Sequence, residues 1–168
     1  MGNQIWAELC NLRYKGYCLR FLVVKFQKWD RNINIFLAIA SSGSIAAWAI
    51  WDQSPLVWGA IIAVSQVLTV IKPYFPYYKY VKEINKKTLK IEVLNIEFER
   101  LWYKLQNKKI TEEEAVDMYY LYQKEIAEIF NFNDDTLFKI DGNIKKKSNV
   151  KMKIYLKNNY GIDINVNY

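Results

Sequence analysis

The chain has 168 residues, about one domain's worth, and a formal net charge of +7 from 24 Lys and Arg against 17 Asp and Glu. It has no histidine and two cysteines. That excludes an imidazole base, a Cys–His pair, a His-ligated metal, a cysteine-only zinc site and a disulfide-dense scaffold. Hydrophobic residues make up 52% while the mean hydropathy is slightly negative, −0.15. The apolar residues must therefore be concentrated in particular segments.

Residues 3–30 predict an amphipathic helix, with Trp6, Cys10, Tyr14, Tyr17, Phe21 and Val24 recurring at three- and four-residue steps. It either lies on a membrane surface or packs on the later helices. Cys10 and Cys18 both fall in it, as small hydrophobes rather than reactive thiols.

Two uncharged windows follow. Ile33–Trp51 has 19 residues and Pro55–Ile71 has 17, with only Asp52, Gln53 and Ser54 between them. At about 1.5 Å per helical residue each spans roughly 25–29 Å, close to a bilayer's hydrocarbon core. So short a loop makes them an antiparallel hairpin. Two buried helices of a soluble protein would show polar faces, and these windows have none. Trp48, Trp51 and Trp58 gather at the loop end; Trp29, Tyr74, Phe75, Tyr77, Tyr78 and Tyr80 gather at the other, as interfacial anchors do. The first window starts too late for a signal peptide, and Met1-Gly2-Asn3-Gln4-Ile5-Trp6 lacks the Ser/Thr of a myristoylation motif.

Charge is distributed by segment. Residues 1–32 hold six basic and two acidic side chains; residues 72–110 hold ten and four; residues 111–141 hold two and nine; residues 142–168 hold six and one. The outer loop has no Lys or Arg, so the positive-inside rule places both termini in the cytoplasm. Lys25, Lys28, Arg31, Lys72, Lys79 and Lys82 flank the apolar windows, where anionic headgroups account for the basic excess without a nucleic-acid polymer.

Pro73 and Pro76 interrupt or kink the chain after the second window. Residues 77–107 predict a long helix. Tyr77, Ile84, Ile91, Phe98 and Leu105 recur every seven residues with Leu94 and Leu101 as companions, a seam that meets either its own chain or its copies. A turn follows. Thr111 and Glu114 form a capping box for a helix running to about Phe130, with Ala115, Met118, Tyr119, Tyr122, Ile126 and Ile129 on one face. This acidic helix is expected to pack antiparallel on the basic one before it. Residues 131–143 are turn-rich. Residues 144–159 form a last helix with Val150, Ile154, Tyr155 and Leu156 on its apolar side, ended by Gly161. The segments are thus 1–32, an amphipathic helix; 33–72, a transmembrane hairpin; 73–131, a cytoplasmic helical hairpin; and 132–168, a C-terminal helix and tail. The fold class is an all-α membrane protein.

No catalytic constellation is present: there is no phosphate loop and no nucleophile motif. Glu112, Glu113 and Glu114 read as a helix start, and Asp134, Asp135 and Asp141 lack calcium-loop spacing. No cofactor is implied. The informative polar residues lie inside the apolar windows: Asn34, Ser41, Ser42, Ser44, Ser65, Gln66 and Thr69. One reading is helix packing, with Ala40/Ser44, Gly43/Ala47 and Gly59/Ala63 as small residues four apart. The other is an oligomeric pore lined by Asn34, Ser41, Ser44, Gln66 and Thr69. Gln66 stands out, because an amide in hydrocarbon needs a partner or water. Two spans cannot enclose a water path, so a conducting form is a closed ring of copies, such as a tetramer. The basic residues Lys145, Lys146, Lys147, Lys151 and Lys153 either receive a phosphorylated signal or form a solvated face.

The segments KWDRNINIFLAIASSGSIAAWAIW and VWGAIIAVSQVLTVIKPYFPYYK, with a late helix ending NNYGI, resemble the SLATT superfamily over residues 1–160. The resemblance is one of architecture: N-terminal helix, two-span hairpin and cytoplasmic helices. It implies a dormant bacterial inner-membrane effector that forms pores or disrupts the membrane when a sensor protein or nucleotide second messenger signals infection. The alternative is a membrane anchor or adaptor that docks a cytoplasmic partner through its helical hairpin. A holin-like toxin and a membrane enzyme fit less well.

Overall fold

A computed structural model describes residues 1–42, 55–74, 77–131 and 140–162. Its described elements are all helical, as the periodicities require. They are α1 (Gly2–Ser42), α2 (Pro55–Ile71) extended by a 3-10 turn at Lys72–Tyr74, α3 (Tyr77–Gln106), α4 (Glu112–Phe130) and α5 (Gly142–Tyr160). The chain divides into two compact units: residues 1–23 with 83–168, and residues 24–82. α1 continues unbroken through residue 32, where the hydropathy pattern places its first edge.

The first unit is an up-down-up-down bundle of four helices. α1 and α3 run antiparallel: Gly2 lies by Leu105 and Gln106, Gly16 by Ile91, and Arg20 pairs with Glu92. α4 returns along α3, with Phe98 against the rings of Tyr119 and Tyr122, and Lys87 donating to the Asn131 carbonyl (2.8 Å). α5 lies antiparallel to α1, where Trp6 meets Tyr160 and Arg13 meets Tyr155.

On α1 the inward seam is Ile5, Leu9, Leu12, Gly16, Leu19 and Val23, steps of four and three that suit antiparallel helix packing. This corrects the expected stripe. Trp6, Cys10, Tyr14, Tyr17 and Phe21 flank the seam half-exposed, and Val24 is exposed. Gly16 hides the repeat because it contributes no apolar side chain. It is a notch: a Cβ there would meet Ile91 Cγ2 at 3.2 Å.

The α3 seam also needs correction as an oligomer seam. Ile84, Ile91, Leu94, Phe98 and Leu101 are buried inside their own chain, and Leu105 is half-buried; the Tyr77 side chain lies outside the described residues. With α1 and α4 covering this face, no copy can reach it.

Both ends of α4 agree with expectation. The Thr111 N–H donates to Glu114 Oε2 (2.8 Å), and the Glu114 N–H donates to Thr111 Oγ1 (3.2 Å). The Thr111 N–H and the Thr111 hydroxyl (3.0 Å), both donating to Glu114 Oε2, hold that carboxyl below its ordinary range. α5 begins two residues earlier than expected because Asp141 accepts the Ile144 N–H (2.8 Å), and it ends at Gly161 in the left-handed region (φ 66°). Its buried side is Ile144, Ser148, Met152 and Leu156, whereas Val150 and Ile154 are exposed. Of the tail, residues 163–168 lie outside the described residues.

In the second unit no described residue is buried. Leu56–Tyr74, 19 residues, is the one segment among the described residues long and apolar enough to cross a membrane. The first apolar window is described only to Ser42, as the end of α1.

Candidate functional site

Within the second unit the described polar side chains of the apolar windows fall into three kinds. Hydroxyls satisfy themselves on their own helix: Ser41 Oγ donates to the Ala38 carbonyl (3.0 Å), Ser65 Oγ to Ile62 (2.8 Å) and Thr69 Oγ1 to Ser65 (2.8 Å). Asn34 belongs to a polar cluster. Its Nδ2 donates to Asp30 Oδ2 (3.1 Å), and its Oδ1 accepts from the Lys72 ammonium. Gln66 is different: it is exposed and makes no hydrogen bond among the described residues. It shares a face of α2 with Gly59 and Ala63, and a Cβ on Gly59 would meet nothing within 4 Å. Of the expected pore-lining set, Ser44 lies outside the described residues, as do Gly43, Ala47, Trp48, Trp51 and Phe75.

The bundle holds a second candidate. A pocket of about 670 Å³ opens between α1 and α5. Cys10, Tyr14, Met152 and Leu156 give it apolar walls, and Lys145, Lys146 and Lys153 add ammonium groups. The structure therefore brings three of the five expected signal-binding lysines together. Lys147 and Lys151 are exposed and do not line the pocket. Partial burial pushes the Cys10 thiol up, which keeps it protonated and unreactive at neutral pH. The arrangement suits a small anion with an apolar body.

Sequence reasoning missed the knot beside this pocket. Arg13 Nη2 donates to Glu99 Oε1 (2.6 Å) and to the Tyr155 hydroxyl (2.9 Å), and the guanidinium sits 4.3 Å from the centre of the Tyr155 ring. The Tyr160 hydroxyl donates to the same Glu99 oxygen (3.2 Å). Burial, and then the Glu99 charge, pushes Tyr160 up to about 12. Only long-range contacts create this cluster, so no local motif announces it. A smaller cleft of about 210 Å³ lies between α1 and α3, bordered by Arg20, Glu92 and Asn95. No group of three or more metal-ligating side chains occurs among the described residues.

No family model, curated protein or solved structure matches the chain.

Proposed function

We propose that the chain is the subunit of an oligomeric membrane pore, a gated effector of bacterial antiphage defence in the inner membrane. Its apolar hairpin spans the bilayer twice with both termini cytoplasmic. The cytoplasmic bundle receives the trigger, from a sensor protein or a nucleotide second messenger, and opening depolarises the host. The observation that carries this reading is Gln66. It is the one amide on α2, it is exposed, and it shares the open Gly59/Ala63 face. In hydrocarbon an unpaired amide costs several kcal/mol, so water or a neighbouring copy must meet it. The resemblance of the hairpin and late helix to the SLATT superfamily supports the same conclusion. The lysine pocket is the natural receiver for an anionic trigger, because a ligand shifts an equilibrium only by binding one state better.

The test is single-channel recording from the full chain in planar bilayers, beside particle sizing in nanodiscs. Discrete conductance steps from a ring-sized particle are expected, with Gln66→Leu abolishing or rescaling them at unchanged size. A silent bilayer with particles of one or two chains would overturn the pore and leave the membrane anchor.

A further inference from the structure

α3 carries a second apolar stripe, opposite the one buried in the bundle. Leu89, Val93 and Ile96 are 64%, 62% and 58% exposed at steps of four and three, and Tyr103 continues the line one heptad on. A helix apolar on two opposite faces is built to be covered on both. The charges beside the outer stripe have one sign. Lys86, Lys90 and Arg100 are exposed there. All four carboxylates of α3 are engaged within the chain: Glu83 with Lys87 (3.6 Å), Glu92 with Arg20, Glu97 with the Tyr122 hydroxyl (3.4 Å) and Glu99 with Arg13 (2.6 Å). The outer face of α3 is therefore apolar and basic.

The outer face of α4 is apolar with an acidic excess. Tyr120 and Leu121 are exposed, and around them stand Glu113, Asp117 and Glu128, with one base, Lys124, among them. The register between the two helices is fixed inside one chain by Phe98 against Tyr119 and Lys87 on Asn131. That register sets Ile96 level with Leu121, Arg100 with Asp117 and Lys90 with Glu128. A cyclic rotation about an axis parallel to the bundle keeps every residue at its own level. A neighbouring copy then presents Asp117 opposite Arg100, Glu128 opposite Lys90 and Leu121 opposite Ile96.

We infer that the outer face of α3 docks on the outer face of α4 of the next copy, a head-to-tail contact that closes a ring. The inference rests on the oligomeric reading above and names the surface that holds it together.

The full chain, with Cys10→Ser and Cys18→Ala, is co-expressed in membranes as two differently tagged variants, one with Arg100→Cys and one with Asp117→Cys. Crosslinks between the two tags are expected, and none between two Arg100→Cys chains. Lys90→Glu is expected to weaken assembly at least about tenfold, and Lys90→Glu with Glu128→Lys to restore it. Circular-dichroism melts of each variant confirm that the bundle is folded. Crosslinks between identical variants overturn the head-to-tail arrangement, as does a ring-sized particle without the mixed crosslink; the latter leaves the pore reading standing. Single-chain particles overturn the contact, and the conductance measurement then decides the pore separately.

Discussion

The two units hold similar apolar side chains in opposite circumstances. The bundle closes Ile5, Leu9, Ile91, Phe98 and Leu101 completely away from water. In the second unit Leu56, Val57, Val67 and Val70 are all more than half exposed. Burial of apolar area stabilises by roughly 25 cal/mol per Å², and among the described residues the bundle gains this while the second unit does not. The contrast separates a unit with a closed apolar core from one whose described apolar side chains stay open.

The sharpest way to break that contrast is matched truncation. Phe98→Ala is expected to cost the bundle about 3–5 kcal/mol in chemical denaturation, and Val67→Ala less than about 0.5 kcal/mol in the same measurement. Equal effects would mean that the second unit has a core of its own. Next in size is Thr111→Ala, which removes the cap of α4 and is expected to cost about 1 kcal/mol. Glu114 is depressed by its bonds to Thr111, so their contribution is complete above the ordinary carboxylate value of 4.5 and fades as pH falls through the lower folded value. The deficit of Thr111→Ala is thus expected to narrow in acid, read as melting temperature against pH.

Ser148 runs the other way. Its hydroxyl is fully buried with no partner, so Ser148→Ala is expected to stabilise the bundle by up to about 1 kcal/mol. The smallest effect is at alkaline pH. Tyr160 rises from 10 to about 12 in the fold, so between these values the folded state keeps a proton that the unfolded state has lost. Stability therefore falls as pH rises through that window, and Tyr160→Phe is expected to flatten this limb of the melting curve.

Much of the bundle was legible because its signals are local. The Thr111/Glu114 box, the Gly161 stop and the Ile84, Ile91 and Phe98 repeat each depend on residues a few positions apart. The α1 seam was not, because Gly16 interrupts it and the large aromatics one position away form a second, more conspicuous stripe. Thr88 and Asn95 obscured the α3 companions in the same way: both are buried, and neither is apolar. That α3 meets its own chain rather than its copies is a tertiary choice, and the heptad pattern is the same for either. Of the candidate sites, the lysines were visible as charge alone. Their convergence with Cys10 and Tyr14 depends on α5 packing against α1, a long-range contact with no local signature.

The Arg13 knot has an evolutionary corollary. One planar guanidinium donates through Nη2 to both Glu99 and the Tyr155 hydroxyl and lies over the Tyr155 ring, so a lysine would keep the charge and lose the planar contact with that ring. Glu99 without Arg13 would be a half-buried carboxylate facing only a tyrosine hydroxyl. The three positions lie on three helices far apart in sequence, and each side chain is useful only while the other two persist. Across descendants of this chain, positions 13, 99 and 155 should drift together or stand still.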